Sequence, residues 1–183
     1  MTRRRVRRQT GSAGFSLIEV CVAMLILTTG LLGLAGVMAL AMRHVGGSSA
    51  TLVAREKARE AVESVHTARD TGTLLWDQVG NAPNGVFVDG ETPLYAAGAD
   101  GLVNTADDEA AGVEIAPGFD GVFNTDDDVP LTEFRREIVI SDLMQDGTTT
   151  VNPDLRQVTV TIRYRVQGAW RTYILRSYVA KFV

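Results

Sequence analysis

Residues 20–42 read VCVAMLILTTGLLGLAGVMALAM, a run of 23 residues without a charged side chain. As an α-helix this run would extend roughly 34 Å, which is enough to cross a hydrocarbon core about 30 Å thick. The basic segment MTRRRVRR, residues 1–8, precedes it and marks the cytoplasmic side, because positively charged flanks stay inside. The sequence therefore predicts a single-pass membrane helix with Arg43 and all later residues on the far side. The run is longer than that of a secretory signal peptide and lacks a small-residue cleavage site, so we expect this anchor to stay attached.

The composition of the 183-residue chain fits one folded domain joined to this helix. Apolar residues make up 45% of it and the mean hydropathy is +0.06, which excludes a disordered chain and a protein with several membrane spans. The net charge is −4, but residues 70–133 contain 14 acidic residues and no Lys or Arg. Because a nucleic-acid-binding domain carries clustered basic residues, we expect no nucleic-acid partner. The single cysteine, Cys21, excludes intramolecular disulfides and multi-cysteine metal sites.

One glutamate stands at the start of the apolar sequence. Glu19 lies between Ile18 and Val20, and an unpaired carboxylate costs several kcal/mol if it enters lipid. The carboxylate therefore either stays at the level of the lipid headgroups or needs a partner of opposite charge.

Residues 11–20, GSAGFSLIEV, resemble the processing site of type IV prepilins and type II secretion pseudopilins. In that motif a short basic leader ends in Gly and is followed by Phe and, at the fifth mature position, by Glu. The resemblance implies that prepilin peptidase cleaves after Gly14 and that Phe15 is N-methylated. It also implies that Glu19 pairs with the N-terminal amine of a neighbouring subunit, which would make a buried charge tolerable. The segment TTGLLGLAGV, residues 28–37, is most similar to minor pilins of the PilV type.

The resemblance implies that the chain is a minor type IV pilin, a structural subunit without enzymatic activity. It would enter the bacterial inner membrane as a single-pass protein and then join an extracellular pilus, where it would prime assembly or modify the tip. Its implied partners are prepilin peptidase, other major and minor pilins, the inner-membrane assembly platform and membrane lipid.

Two alternative functions are compatible with parts of the sequence. A minor pseudopilin of a type II secretion system, located in a periplasmic pseudopilus, would have the same anchor and the same Glu19. A membrane-anchored hydrolase that uses the acidic residues is the other alternative. The sequence contains no nucleophile elbow, no His-based zinc motif and no phosphate-binding loop, which disfavours the hydrolase.

The residue composition of the remaining chain changes twice along its length. Small apolar residues recur at spacings of four and three over residues 51–70, which predicts an amphipathic helix that resumes after a bend or break at Gly46 and Gly47. Gly, Asn, Asp and Pro then dominate and predict a long loop region with short strands such as Gly85–Val88. The C-terminal part alternates β-branched or aromatic residues with polar ones and predicts three strands.

We therefore expect an α+β, pilin-like fold in which a long N-terminal helix, membrane-spanning in its first half, packs on a small antiparallel sheet. The predicted segments are the basic prepilin leader (1–14), the hydrophobic helix of the membrane or filament core (15–45), the amphipathic helix (46–71), the acidic loop region (72–133) and the antiparallel sheet (134–183).

Two segments of the loop region repeat at an interval of 20 residues, GADGLVNTADDE from Gly98 and GFDGVFNTDDD from Gly118, with seven identical positions. Calcium prefers six to eight oxygen ligands on a flexible loop, and such residues around a glycine turn supply them. A calcium ion would also offset the repulsion within this acidic segment, in a stabilising or cell-adhesion role. The spacing is not that of an EF-hand, and ordinary solvated turns use the same residues, so both interpretations stay open. The candidate ligands, in one site or two, are Asp100, Asn104, Asp107, Asp108, Asp120, Asn124, Asp127 and Asp128, with Glu109 and Asp126 as alternates.

Overall fold

The computed structural model describes residues 14–145, 147 and 149–181, without the side chains of residues 43–48. The chain divides at residue 45 into an apolar helical segment and a unit with its own hydrophobic core, which we call the head. In chain order the elements are α1 (Leu17–Asp70), a short 3-10 turn (Trp76–Gln78), β1 (Thr92–Pro93), α2 (Asp108–Ala111), β2 (Ile115–Ala116), β3 (Val129–Pro130), β4 (Phe134–Met144), β5 (Val151–Val166) and β6 (Ala169–Ala180).

The first part of α1, Leu17–Met42, is long and apolar enough to cross a bilayer, and none of it is buried within the chain. The hydroxyl groups of Thr28 and Thr29 donate hydrogen bonds of 3.0 and 2.9 Å to the carbonyl oxygen of Leu25, one turn earlier. These side chains therefore satisfy their polar groups within the helix and leave its surface apolar. The segment is compatible with the predicted single-pass membrane anchor.

Helix α1 continues through Gly46 and Gly47, so the predicted break in helical structure does not occur. Glycine lowers helix stability by about 1 kcal/mol relative to alanine. The long helical stretches on either side outweigh this local cost, because extension of an existing helix is cooperative. The division between the apolar segment and the head nevertheless falls at residue 45, next to these glycines.

The head is built on a four-stranded antiparallel sheet in the order β1–β4–β5–β6. In the middle of the sheet Ile162 of β5 pairs with Arg136 of β4 on one side and with Tyr173 of β6 on the other. The three predicted strands are β4, β5 and β6, which confirms the α+β architecture. The sequence pattern missed β1, because a strand of two residues is too short to show any alternation.

One face of the sheet, the inner face, packs against residues 50–70 of α1. The helix contributes mainly alanine to this core. Alternate residues of β4 and β5 are buried on the same side, as their sequence pattern predicts. The completely buried members of this core include Ala54, Ala58 and Ala61 from the helix and Ile138, Val158, Val160 and Ile162 from the sheet.

The loop region contains no strand at Gly85–Val88, so that prediction is wrong. Phe87 is completely buried but forms only an isolated bridge with Asn81. Hydrogen bonds from Ala82 N to Phe87 O and from Phe87 N to Gly80 O close this segment on itself. The apolar residues here bury one aromatic ring under a tight loop instead of extending the sheet.

Candidate functional site

The predicted processing and assembly residues lie at the start of α1. Gly14 and Phe15 precede the first helical residue, Leu17, and the Phe15 side chain is 83% exposed. Glu19 lies in the first turn of the helix, where the helix dipole favours a negative charge. The Gly14–Phe15 peptide bond is therefore exposed and outside the helix, as the substrate of a peptidase requires.

The Glu19 side chain lies on an apolar surface of the helix. A shallow groove beside it is lined by Phe15, Ala23 and Leu27. In the part of the chain that the structure describes, the Glu19 carboxylate has no ion-pair partner. A carboxylate on such a surface is costly in a nonpolar phase unless a cation neutralises it.

The first acidic repeat folds into a loop that its own carboxylates close. The N–H of Leu102 donates to Asp100 Oδ1 at 2.8 Å, and the N–H of Asp100 donates to Asp107 Oδ2 at 3.2 Å. Asn104 has a φ of 67°, in the left-handed region that Asn tolerates better than most residues. At Gly98 a Cβ atom would stand 2.4 Å from Asp107 Cγ, so only glycine fits there.

Asp108 is the buried centre of this repeat and is 2% exposed. Its Oδ1 accepts hydrogen bonds from Gly98 N at 3.0 Å and Thr105 Oγ1 at 3.1 Å. Its Oδ2 accepts from Asn104 N at 2.5 Å and Thr105 N at 3.2 Å, and Arg136 Nη2 lies 3.6 Å away. A carboxylate accepts about four hydrogen bonds, so Asp108 is fully used as an anchor of the loop.

The second acidic repeat adopts the same backbone between β2 and β3, which pair to form a two-stranded ribbon. Asn124 has a φ of 66°, and the N–H of Val122 donates to Asp120 Oδ1 at 2.8 Å. Asp128 Oδ2 accepts from Asn124 N at 2.6 Å, as its counterpart does in the first repeat. The sequence repeat is thus also a structural repeat.

The two repeats differ in what surrounds them. Leu102 and Val103 of the first repeat are buried in the core, whereas Val122 and Phe123 at the equivalent positions are 56% and 55% exposed. Asp128 Oδ1 is enclosed but accepts no hydrogen bond from the described residues. The first repeat is therefore integrated into the head, and the second is presented to solvent.

A chain of charged side chains connects α1, the loop region and the sheet near the first repeat. Lys57 of α1 pairs with Glu114 of the loop region and, at 2.7 Å, with Glu60. Arg136 of β4 is completely buried, donates a hydrogen bond of 3.0 Å to Tyr95 O and faces the Asp108 carboxylate. These contacts join the helix, the acidic loops and the sheet through opposite charges.

Burial and pairing shift the pKa values of these groups unequally. Burial raises the pKa of Glu114, against the opposing effect of the hydrogen bond from Lys57. Burial would lower the pKa of Lys57, but hydrogen bonds to Glu114 and Glu60 raise it above its usual value. Burial lowers the pKa of Arg136, opposed by the carboxylates of Glu114 and Asp108. Lys57 therefore partly offsets the effect of burial on the pKa of Glu114.

Three of the predicted calcium ligands come together in the first repeat. Asp100, Asp107 and Asp108 each place one oxygen within 4.8 Å of the other two, and among the described residues this is the one such group. The Thr105 hydroxyl and a backbone N–H hold the pKa of Asp107 below its usual value, which keeps it anionic. Carboxylate oxygens are ligands of the kind that Ca²⁺ prefers, and of the three Asp100 and Asp107 are the more exposed.

The other predicted ligands are arranged differently. Asn104 Oδ1 accepts from Thr92 Oγ1 at 3.1 Å and its Nδ2 donates to Val88 O at 3.1 Å, so its amide is occupied within the head. In the second repeat the Thr125 hydroxyl lowers the pKa of Asp127. The predicted ligands of the second repeat, which do not form a comparably close group among the described residues, are Asp120, Asn124, Asp127 and Asp128.

The sequence interpretation missed Lys57, Glu114 and Arg136. Arg136 did leave a signal, because it stands between Phe134 and Ile138 at an inward position of the predicted strand. A charge on a buried face requires a counter-charge, but the sequence alone does not say which carboxylate supplies it.

No family model, no curated protein and no solved structure matches the chain.

We expect Asp108→Asn to reduce the free energy of unfolding of the head by about 3–5 kcal/mol, because it leaves the buried Arg136 without its closest counter-charge. The equivalent substitution in the second repeat, Asp128→Asn, is the matched control and should cost less than about 1 kcal/mol. Urea unfolding of the full chain in detergent, followed by near-UV circular dichroism, measures both. Equal losses would contradict the anchoring role of Asp108.

We expect the stability deficit of Lys57→Met to grow with pH. Loss of Lys57 removes the contact that opposes the raised pKa of Glu114, so this pKa rises further. Below the unfolded-state pKa of Glu114, near 4.5, the carboxyl is protonated in both states and the deficit is smallest. As the pH rises through the folded-state pKa, the buried carboxylate must ionise alone and stability is lost.

Melting temperatures of the wild type and the variant between acidic and neutral pH measure this effect. Glu114→Gln added to Lys57→Met should remove the extra pH dependence. A deficit of constant size across the pH range would show that Glu114 does not titrate as described.

Proposed function

We propose that the chain is a minor type IV pilin, a structural subunit that prepilin peptidase processes and that enters a pilus to prime assembly or modify its tip. The observation that carries this proposal is the start of α1. An exposed Gly14–Phe15 bond outside the helix is followed within one turn by Glu19 and by an apolar helix that is wholly exposed to Met42.

The exposed apolar helix supports the proposal that the subunit lies first in a membrane and later in a filament. Its exposed surface suits the lipid of the bacterial inner membrane, and it equally suits other apolar helices in the centre of a filament. Cβ atoms added at Gly30, Gly33 or Gly36 would meet no atom from elsewhere in the described part of the chain, so contacts among the described residues do not require these glycines. Small residues allow helices of neighbouring subunits to approach closely.

The head is assigned no enzymatic activity in this proposal. Its buried charges, Asp108, Arg136, Lys57 and Glu114, pair with one another. These pairs hold the loop region on the helix and on the sheet, which is a structural role. Prepilin peptidase, other major and minor pilins, the inner-membrane assembly platform and lipid are the proposed partners.

We also propose that the first acidic repeat binds a calcium ion through Asp100 and Asp107. The grouping of these carboxylates with Asp108 within 4.8 Å supports this. The loop region has no Lys or Arg of its own, so a divalent cation would reduce the repulsion among its carboxylates. Asp108 would position the loop, while its carboxylate oxygens keep the hydrogen bonds that they accept from within the repeat.

Cleavage provides the test of the pilin pathway. In cells that contain prepilin peptidase, we expect the intact mass of the membrane protein to correspond to a chain that begins at Phe15 and carries one added methyl group. In cells without the peptidase the leader should remain. Gly14→Val should block cleavage, because a branched side chain replaces the small residue at the bond, whereas Gly11→Val is the control and should be processed normally.

An uncleaved chain in both kinds of cell would contradict the proposal. Processed protein in sheared pilus fractions distinguishes a pilin from a type II secretion pseudopilin, which would stay with the cell envelope. Glu19→Leu should still be cleaved but should be lost from the filament fraction, because it removes the charge that pairs with a neighbouring subunit.

Calcium binding is tested by the melting temperature of the head in the detergent-solubilised full chain. Calcium at 100 times its dissociation constant should stabilise the head by about 2.7 kcal/mol, and equal concentrations of magnesium should have a smaller effect. Asp100→Asn/Asp107→Asn should abolish the stabilisation. The matched variant in the second repeat, Asp120→Asn/Asp127→Asn, should retain it. The absence of a calcium effect, or its loss only in the second variant, would contradict the site.

A further inference from the structure

The second acidic repeat exposes a cluster of large apolar side chains. Phe119 is completely exposed, and Val122 and Phe123 are more than half exposed. Acidic residues such as Asp126 surround them in the sequence. Grouped apolar side chains on a polar loop are characteristic of a protein interaction site, because water around them is released when a partner covers them.

The contacts of the first repeat indicate the kind of surface on which such a loop docks. Its Leu102 and Val103 insert into the hydrophobic core, and its Asp108 faces Arg136. The loop thus docks on the rest of the head with two elements, an apolar pair and an aspartate that meets an arginine. Both elements belong to the repeated part of the structure.

The second repeat has the same two elements without their counterparts. Val122 and Phe123 replace the buried apolar pair and face solvent. Asp128 replaces the anchoring aspartate, and its enclosed Oδ1 has no hydrogen-bond donor among the described residues. Within the described residues it also has no arginine partner. The loop therefore matches a surface that combines apolar side chains with a free arginine.

The face of the sheet opposite α1, here called the outer face, has this combination. Trp170, Ile174 and Tyr178 of β6 alternate along it and are 44–54% exposed. Arg176 lies between the last two on the same face and makes no ion pair with any described residue. Arg163 of the neighbouring strand stacks on Trp170, with its guanidinium carbon 5.1 Å from the ring centre.

Charge complementarity favours a second copy of this chain as the partner. Residues 70–133 carry 14 acidic and no basic side chains. The outer face of β5 and β6 carries Arg163, Arg165 and Arg176 and no acidic residue. Glu91 pairs with Arg163 and Glu133 with Arg165, which leaves the charge of Arg176 without an ion pair among the described residues. The acidic loop of one copy and the sheet of another therefore attract each other, and the same charges oppose contact between two loops or two sheets.

We propose that the second acidic repeat of one copy docks on the outer face of the sheet of a second copy, with Phe119 and Phe123 against Trp170 and Ile174 and an aspartate beside Arg176. The two surfaces are different, so the contact is head-to-tail and can extend beyond two copies. This contact does not depend on the proposed pilin function, because two copies anchored in the same membrane can form it as well as two copies in a filament.

Cross-linking of the full-length protein in membranes tests this contact. In a Cys21→Ser background, one copy carries Phe123→Cys and a second copy, with a tag of different length, carries Ile174→Cys. After oxidation we expect a mixed disulfide dimer. The matched control replaces Phe123→Cys by Leu75→Cys, which is also well exposed (64%) but lies outside the repeat, and should give little mixed dimer.

A charge reversal tests the role of the arginine. Arg176→Glu in the copy with Ile174→Cys should lower the yield of mixed dimer about ten-fold, because attraction to the acidic loop becomes repulsion. Arg59→Glu makes the same change at an exposed position of α1 and should leave the yield unchanged.

Mixed dimer that forms equally well with Leu75→Cys, or that is insensitive to Arg176→Glu, would overturn the proposal. A partner of different sequence would show itself in the same experiment, as cross-links of Phe123→Cys to another protein with no dimer of this chain, and would also overturn it. Cleavage of the leader is measured on the same samples, so failure of the contact is distinguishable from failure of the pilin pathway.

Discussion

The apolar surface of Leu17–Met42 is not covered by any other residue that the structure describes, and this constraint decides in which surroundings the helix is stable. Each exposed leucine, isoleucine or valine leaves about 1.5–3 kcal/mol of burial free energy unrealised. A helix of 26 residues, twelve of which are leucine, isoleucine or valine, is therefore more stable in lipid or among other apolar helices than in water. In either surrounding Glu19, the one charged residue of the segment, is costly alone and favourable when paired. One carboxylate thereby makes the helix dependent on a cation that the described part of this chain does not supply.

The head meets a different constraint, since its loop region is acidic and has no internal cation. The counter-charges come from the elements on either side in the sequence, Lys57 from α1 and Arg136 from β4. Each contacts a carboxylate of the loop region, Glu114 and Asp108 respectively. The acidic segment is thus fixed between helix and sheet by charges as well as by its buried apolar residues. Of these two contacts, the one between Asp108 and Arg136 holds the first repeat itself, together with the burial of Leu102 and Val103.

The sequence correctly predicted those parts of the fold in which apolar residues recur at a regular spacing. Alternation from Val158 to Tyr164 identified the central strand and its buried face, and the alanine spacing identified the helix face that packs on it. Segments in which apolar residues follow no regular spacing were harder to interpret. Phe87 reads as part of a strand but is buried by a tight loop, and the counter-charge of Arg136 depends on contacts between residues far apart in sequence. The repeated aspartates were identified as a group, but their separation into internal anchors and exposed carboxylates depends on hydrogen bonds that no spacing encodes.

The two repeats show how the same loop can serve two purposes. Their identical positions are those that make the turn: the glycines, the left-handed asparagine, the threonine that donates to an aspartate, and the aspartates that accept backbone hydrogen bonds. The residues at their variable positions differ with the surroundings of each repeat. Ala99 and Val103 of the first repeat, which is integrated into the head, correspond to Phe119 and Phe123 of the exposed second repeat. Larger aromatic side chains add nothing to the turn itself and reduce solubility where water surrounds them. Burial free energy is gained from these side chains when another surface covers them. The exposed apolar helix of the first unit and the exposed loop of the head thus each present apolar surface on which a contact with another molecule would be favourable.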